Sequence, residues 1–293
     1  MSLTMKEVKD LGGIILNVET YHQIFALTQE ERKQYIEENP SVVQHILQTV
    51  GQEQAELRDQ LNYRLFIQLL SENSFSKSMI QNFVDELSSI NGLVFNIGEK
   101  LTNSVFLRSY AALFLAAIVN ADRQLQYLTN EQLESLTQNA IALLAKEQDL
   151  RSFVSAEQGW AHSIANCSEL MCAIIQHPNF PIRYTAQILQ AIRTNIWKGY
   201  VFQDDEEERF CNMIEALLAK GIDEELFIEW TEQLFDYLQM VAYEQGYDAV
   251  WFKARTNQLN IAKTLYFYLK FANRHEKLRG IVSIFIQRWI KLN

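Results

Sequence analysis

Leu57, Leu61, Leu65 and Leu69 recur at four-residue steps, and at 3.6 residues per turn that spacing puts all four on one side of a helix. The same kind of stripe is formed by Leu133, Leu136, Ala140, Leu143 and Leu144, by Tyr184, Ile188, Ile192 and Ile196, and by Phe210, Met213, Ile214, Leu217 and Leu218. Each stripe needs a partner helix to cover it. No window alternates strictly with β-branched enrichment, so no strand is expected. The segment from Val105 to Val119 is apolar nearly all round, which predicts a helix enclosed between two layers. Its longest unbroken apolar run, Tyr110 to Val119, is 10 residues. A spanning helix needs roughly 20, so no membrane span is expected.

The punctuation agrees with this pattern. Pro40, Pro178 and Pro181 all lie between periodic segments, where a missing N–H does no harm. Gly51, Gly92, Gly199, Gly221 and Gly246 follow amphipathic runs, as residues that end helices in a left-handed conformation do. Thr28 with Glu31 reads as a capping box. About 12–13 helices are expected, with starts roughly 20 to 28 residues apart, so that a helical hairpin recurs near the period of HEAT-like arrays, although no repeat consensus is visible. The fold class read from this is all-α: an irregular α-solenoid, a HEAT-like α-α superhelix, forming one domain over residues 1–293. A compact helical bundle is the alternative.

Composition narrows the class without naming a function. With 48% hydrophobic and 21% charged residues, 3 prolines and 10 glycines, the chain has the make-up of a folded globular protein. Cys167, Cys172 and Cys211 supply neither a disulfide framework nor a Cys-x-x-Cys zinc pair, so a reducing, cytoplasmic setting is expected. No signal peptide is visible at the N-terminus, and Met1-Ser2-Leu3 reads as a cloning remnant.

Net charge is −10, which argues against general affinity for nucleic acid. The charge is uneven, however. From Lys253 to Asn293 nine basic residues face one acid, Glu276, giving +8 and leaving −18 for the first 252 residues. Tyr266, Phe267, Tyr268, Phe271, Phe285 and Trp289 are interleaved with these cations. Because Ile281, Ile284, Phe285, Trp289 and Leu292 make a helical stripe, most of the rings are expected in the core. The basic residues are read first as a cap facing the acidic body; nucleic-acid or anion binding through Lys263, Lys270, Arg274, Lys277 and Arg279 is a further reading, and nucleic acid is not the expected partner.

The sharpest chemical constellation is Trp160, His162, Asn166 and Glu169, since residues four and seven apart share a helix face and can converge on one ligand. His162 with Glu169 suits a metal or an acid/base pair. Asn166 is a poor transition-metal ligand, though, and two good ligands are too few. The structural alternative has His162 donating to Glu169 or a backbone carbonyl while Trp160 plugs a gap between helices. Arg108 interrupts the most apolar helix and, if enclosed, needs a carboxylate such as Asp122 or Glu169, which makes it a structural clamp; a ligand-binding anchor for a substrate anion is the other reading. His177 reads as a helix C-terminal residue. The acids Asp204 to Glu208 read as solvated residues at a helix start. No phosphate loop, nucleophile elbow, Cys/His catalytic arrangement or zinc-protease helix is present. No catalytic residue, resident metal or cofactor is therefore assigned.

At Leu107-Arg108-Ser109-Tyr110, and again at Gly159-Trp160-Ala161-His162 running through to His177-Pro178, the sequence resembles a bacterial family known as domain of unknown function 2785. The similarity extends to Glu206-Glu207-Glu208-Arg209 and to Leu265-Tyr266. The resemblance implies helical architecture and no established chemistry. The family pattern has an Arg before the Gly-Trp pair and a second His four residues after the first. Here Gln158 and Asn166 stand in those places, so a paired-histidine site is not expected. The leading expectation is a non-catalytic helical scaffold binding a protein or peptide on its concave face. The alternative is a helical enzyme or small-ligand or metal binder centred on His162, Asn166 and Glu169.

Overall fold

The computed structural model describes residues 16–290. The readings of the N-terminus, of Lys291 and of Leu292 fall outside that range. Among the described residues the chain is all-α, with 13 α-helices and almost no strand.

Local signals set the helix boundaries. α1 (Val18–Ala26) starts at Asn17, whose Oδ1 accepts the Thr20 N–H at 2.9 Å. α2 (Gln29–Glu38) carries the Thr28/Glu31 capping box that the sequence predicts. α3 (Ser41–Gln48) follows Pro40. A π-helical stretch, Glu56–Tyr63, runs without a break into α4 (Arg64–Ser71). After it come α5 (Lys77–Ser88), α6 (Ser104–Leu125), α7 (Asn130–Lys146), α8 (Ser163–Gln176) and α9 (Thr185–Ile196). The last four are α10 (Glu206–Ala219), α11 (Glu224–Gln245), α12 (Ala249–Ala272) and α13 (Glu276–Ile290).

Alternate helices lie side by side. α4, α6, α8, α10 and α12 each pack on the next in that series, while α3, α5, α7 and α9 make a second series; α11 packs on α12 and α13. α6 is buried on most sides, which is why its sequence lacks a polar face. It is long and apolar enough to cross a membrane by composition, yet most of it is enclosed by its neighbours. Phe114 of α6 stacks at 4.3 Å on Phe66 of α4, which in turn meets Phe75 and Phe83 at 5.6 and 5.1 Å. Enclosing each such ring contributes about 1.5–3 kcal/mol. Leu61, Leu65, Leu69 and the three stripes centred on α7, α9 and α10 are buried as their periodicity requires.

Three expectations need correction. The first helices begin only 11 and 12 residues apart (18, 29, 41), because α1 to α3 are two- or three-turn elements. A short antiparallel hairpin, β1 (Phe153–Ser155) with β2 (Gly159–Trp160), interrupts the helices where no strand is expected. Gly51 and Gly92 are not left-handed caps: a Cβ on Gly51 would lie 2.6 Å from Leu107 Cβ, and one on Gly92 would lie 2.2 Å from the Leu87 carbonyl oxygen, so close packing explains both.

Candidate functional site

The motif regions Leu107–Tyr110 and Gly159–His162 meet at a polar seam inside the helical stack. Arg58, on the π-helical stretch, is fully enclosed and lies between the rings of Phe106 and Tyr110, at 4.3 and 4.4 Å. Its guanidinium pairs with Asp59 at 2.8 Å and donates to the carbonyls of Gln52, Glu53 and Gln158 at 3.0, 3.0 and 2.7 Å. Burial and the neighbouring Asp59 push the Tyr110 phenol well above its ordinary range. The hairpin is thus tied through Gln158 to the helix that carries Arg58.

Arg108 sits one turn along α6 from Ser104 and is also fully enclosed. It pairs with Glu147 through two bonds of 2.7 and 2.9 Å, and donates to Ser104 Oγ and the Phe95 carbonyl at 2.8 and 2.9 Å. Glu147, at the end of α7, also accepts from Ser163 Oγ and from the N–H groups of Gln148 and Asp149, each at 2.9 Å. The partner is therefore Glu147, not Asp122 or Glu169. Asp122 instead accepts the Tyr127 N–H at 2.6 Å and faces His177 Nε2 at 3.3 Å. His177 itself caps α8.

The structure divides the four residues of the sharpest constellation into two pairs, Trp160 with His162 and Asn166 with Glu169. Trp160 ends β2, not a helix, and is 43% exposed, with its ring 5.2 Å from Phe153 and 4.4 Å from His162. His162 is the left-handed residue (φ 50°) before α8, held because its N–H donates to the Arg151 carbonyl at 3.2 Å while its own carbonyl accepts from Asn166 at 2.9 Å. Its Nε2 is enclosed without a partner, and burial holds the imidazole below its ordinary pKa, against the pull of Asp204 and Glu206. His162 does not donate to Glu169. Asn166 donates to Ser109 Oγ at 2.7 Å, and Ser109 donates to the Ala161 carbonyl. Glu169 pairs with Arg209 of α10 at 3.0 Å. Among the described residues no group of three or more His, Cys, Asp or Glu is arranged to hold a metal.

Beside His162 lies a cavity of about 10 Å³, faced by Asp149, Arg151, Tyr200 and Glu206. One water needs roughly that volume. The Tyr200 hydroxyl is likewise enclosed without a partner, and burial raises its pKa. Glu206, the first residue of α10, is buried rather than solvated: its Oε2 accepts the N–H groups of Gln203 and Asp204 at 3.0 Å. Burial also raises the Glu207 carboxyl.

The Glu169–Arg209 pair stands on a longer surface strip. One cleft, of about 400 Å³, is faced by Tyr63, Leu113, Asn120 and Asn166 as well as by the pair. A second, of about 450 Å³, is faced by Glu169, Cys172, Gln176, Asn212, Glu215 and Arg274. Glu169 belongs to both, so the strip runs from Tyr63, just before α4, across α6, α8 and α10 to the end of α12. Asn120, Asn212 and Glu215 were not picked out by the sequence reading. The signal was there: Asn166, Glu169, Cys172 and Gln176 on α8, with Arg209, Asn212, Glu215 and Ala219 on α10, repeat at three- and four-residue steps opposite the core stripes.

The basic C-terminal residues enter several surroundings. Lys270 lies 5.8 and 6.0 Å over the Tyr266 and Phe267 rings, Arg274 faces the second cleft, and Lys277 pairs with Glu225 of α11 at 2.9 Å. Lys263 and Arg279 are half-buried. Phe267 and Phe271 are exposed and stacked on each other, not in the core.

These features define an all-α protein with an internal polar seam and an outward polar strip. The family described as "Protein of unknown function (DUF2785)" matches residues 93–267, which is 175 of 293 residues, and the chain belongs to that family. No curated protein and no solved structure matches it.

Proposed function

We propose that this chain is a non-catalytic, cytoplasmic interaction protein, an irregular α-solenoid whose α4–α6–α8–α10–α12 face binds a protein or peptide segment. One observation carries the reading: the two clefts joined at Glu169 give that face a continuous strip floored by small side chains such as Ala116, Ala117 and Ala219 and edged by Asn120, Asn166, Gln176 and Asn212. Small residues let another chain approach closely, and amide side chains can pair with its backbone. A photo-crosslinking amino acid at Asn120 or Asn212 should capture discrete adducts in cells, and Ala219→Trp should suppress them. The same adducts from exposed Glu229 on α11, or none from either cleft position, would remove the proposal.

A small-ligand or metal reading centred on His162, Asn166 and Glu169 retains one supporting observation, the enclosed and unpartnered His162 Nε2 facing the same cavity as Tyr200. Asn166 and Glu169 already have partners. Native mass spectrometry and metal analysis of the purified protein test it; a stoichiometric bound species lost in His162→Ala would favour it over the scaffold reading.

A further inference from the structure

A cleft of about 720 Å³ lies at the far end of the chain, where the end of α11, the start of α12 and the end of α13 converge. That volume falls in the range of small-ligand sites. Its walls are aromatic: Tyr243, Tyr247, Trp251, Phe252 and Trp289. Trp251 and Trp289 are buried, but Tyr243, Tyr247 and Phe252 are 91%, 69% and 54% exposed. The Tyr247 ring meets Trp251 edge-on at 4.8 Å, and Trp251 lies 6.2 Å from Trp289. A cluster of rings left open to water in one concave place is unlike scattered surface apolar residues.

The polar groups of this cleft are nearly all donors. Arg255 gives one N–H to the Trp289 carbonyl at 2.7 Å, and Arg288 gives one to Gln239 Oε1 at 3.0 Å. A guanidinium has five N–H donors, so each keeps others free. Gln239 has its acceptor engaged and its amide N–H groups left over. The enclosed Trp289 indole N–H has no acceptor among the described residues. Among the described residues that line the cleft there is no carboxylate. Asp248, adjacent in sequence, accepts the Trp251 N–H at 2.7 Å as the cap of α12. The acceptors among the described residues that line the cleft are the tyrosine hydroxyls, the backbone and the remaining lone pair of Gln239 Oε1. By contrast, the second cleft of the outward strip contains Glu169 and Glu215.

We propose that this cleft binds a small ligand with a flat aromatic body and an anionic group, of the aromatic carboxylate, sulfonate or phosphate class, through ring stacking and the guanidiniums of Arg255 and Arg288. Carboxylate, sulfonate and phosphate groups all present pairs of oxygens that match the guanidinium fork, and aromatic bodies match the exposed rings. The site shares no residue with the proposed partner-binding strip, so the two stand or fall separately.

The test uses the full chain labelled with ¹⁵N at its 5 tryptophans, titrated with 2-naphthoate and, in parallel, with the uncharged 2-naphthalenemethanol. Two indole resonances, assigned to Trp251 and Trp289 through Trp251→Phe and Trp289→Phe, should shift saturably with naphthoate. The alcohol should bind about tenfold more weakly, the effect of losing one charge-assisted contact. Arg288 is exposed, so Arg288→Gln should keep the melting temperature and lower naphthoate affinity about tenfold while leaving the alcohol unchanged. If Arg288→Gln lowers the melting temperature, Arg288→Lys, which keeps the charge and loses the fork, replaces it and should weaken naphthoate binding severalfold. Equal affinities for acid and alcohol, no shift of the two indoles, or displacement of naphthoate by equimolar inorganic phosphate would each overturn the proposal.

Discussion

Two pairs of arginines in this chain are used in opposite ways. Arg58 and Arg108 are fully enclosed, and each is surrounded by a carboxylate and several backbone carbonyls. Arg255 and Arg288, at the aromatic cleft, each show one side-chain hydrogen bond and face solvent-accessible rings. A buried cation persists only where its donors are matched. An exposed one need not be matched, which leaves it free for a ligand. The two arginines of the seam thus have their charge engaged within the protein, although the sequence of the motif regions stands out more than that of the cleft.

That contrast is sharpest in stability. Arg108→Ala should cost about 3–5 kcal/mol in urea unfolding at pH 7, because it leaves Glu147 enclosed and unpaired. The double variant Arg108→Met with Glu147→Leu should recover only part of the loss, since both charges vanish together but Ser163 Oγ and the Gln148 and Asp149 N–H groups lose their acceptor. Arg288→Ala should change stability by less than about 0.5 kcal/mol. A cost under about 1 kcal/mol at Arg108 would mean that water reaches the seam and that the two arginine pairs do not differ in kind.

The hairpin provides the next largest effect. Gly159 has φ +67°, and a Cβ there would lie 2.9 Å from the Cβ of Ala55, so Gly159→Ala combines backbone strain with a clash. A loss of about 2 kcal/mol is expected by thermal or chemical unfolding, with faster hydrogen exchange at the Ala55 N–H, which donates to the Glu157 carbonyl at 2.9 Å. Unchanged exchange there would show that the hairpin does not fasten the helix bearing Arg58.

Lys198 lies between the two extremes: its ammonium is largely buried and, among the described residues, donates to the Leu144 carbonyl near the end of α7 at 2.7 Å. Burial lowers its pKa from 10.5 to about 8, with Glu147 pulling the other way. Below pH 8 both folded and unfolded chains carry the proton and the full cost of enclosing the charge. Between pH 8 and 10.5 the folded form releases it while the unfolded form keeps it, so stability from this group rises with pH. The gain is at most on the order of 3 kcal/mol over that interval. Cys172, raised to about 12 by burial, acts in the opposite sense above pH 9, as do the other buried thiols. Subtracting the pH profile of Lys198→Met cancels them. A flat difference between pH 8 and 10 would show that Lys198 stays charged and hydrated.

The helices were legible because each buries one face, and a 3.6-residue period survives in a single sequence: the stripes on α7, α9 and α10 are buried residue for residue. The hairpin was not, since strands of three and two residues are too short to display alternation. Nor was the partner of Arg108, because Glu147 lies 39 residues away at the end of a different helix and nothing local distinguishes it from Asp122. His162, Asn166 and Glu169 looked convergent on the premise of one continuous helix through all three. The left-handed backbone at His162 breaks that premise one residue before α8 begins. The aromatic cleft draws on three helices, and its rings could be read individually but not as neighbours.

The smallest expected effect separates folding from use of the surface strip. Glu169 and Arg209 are 47% and 42% exposed at the side chain, so their 3.0 Å pair should contribute no more than about 0.5 kcal/mol. A double-mutant cycle with Glu169→Ala and Arg209→Ala, measured by urea unfolding, should give a coupling of no more than about 0.5 kcal/mol that shrinks further as salt is raised. Both residues nevertheless edge the first cleft, and Glu169 also edges the second. The same substitutions should therefore alter capture from Asn120 and Asn212 although the fold is untouched. A coupling of 2 kcal/mol or more would place the pair with Arg108–Glu147, as part of what holds α8 to α10, and the strip would lose its claim to be an uncommitted surface.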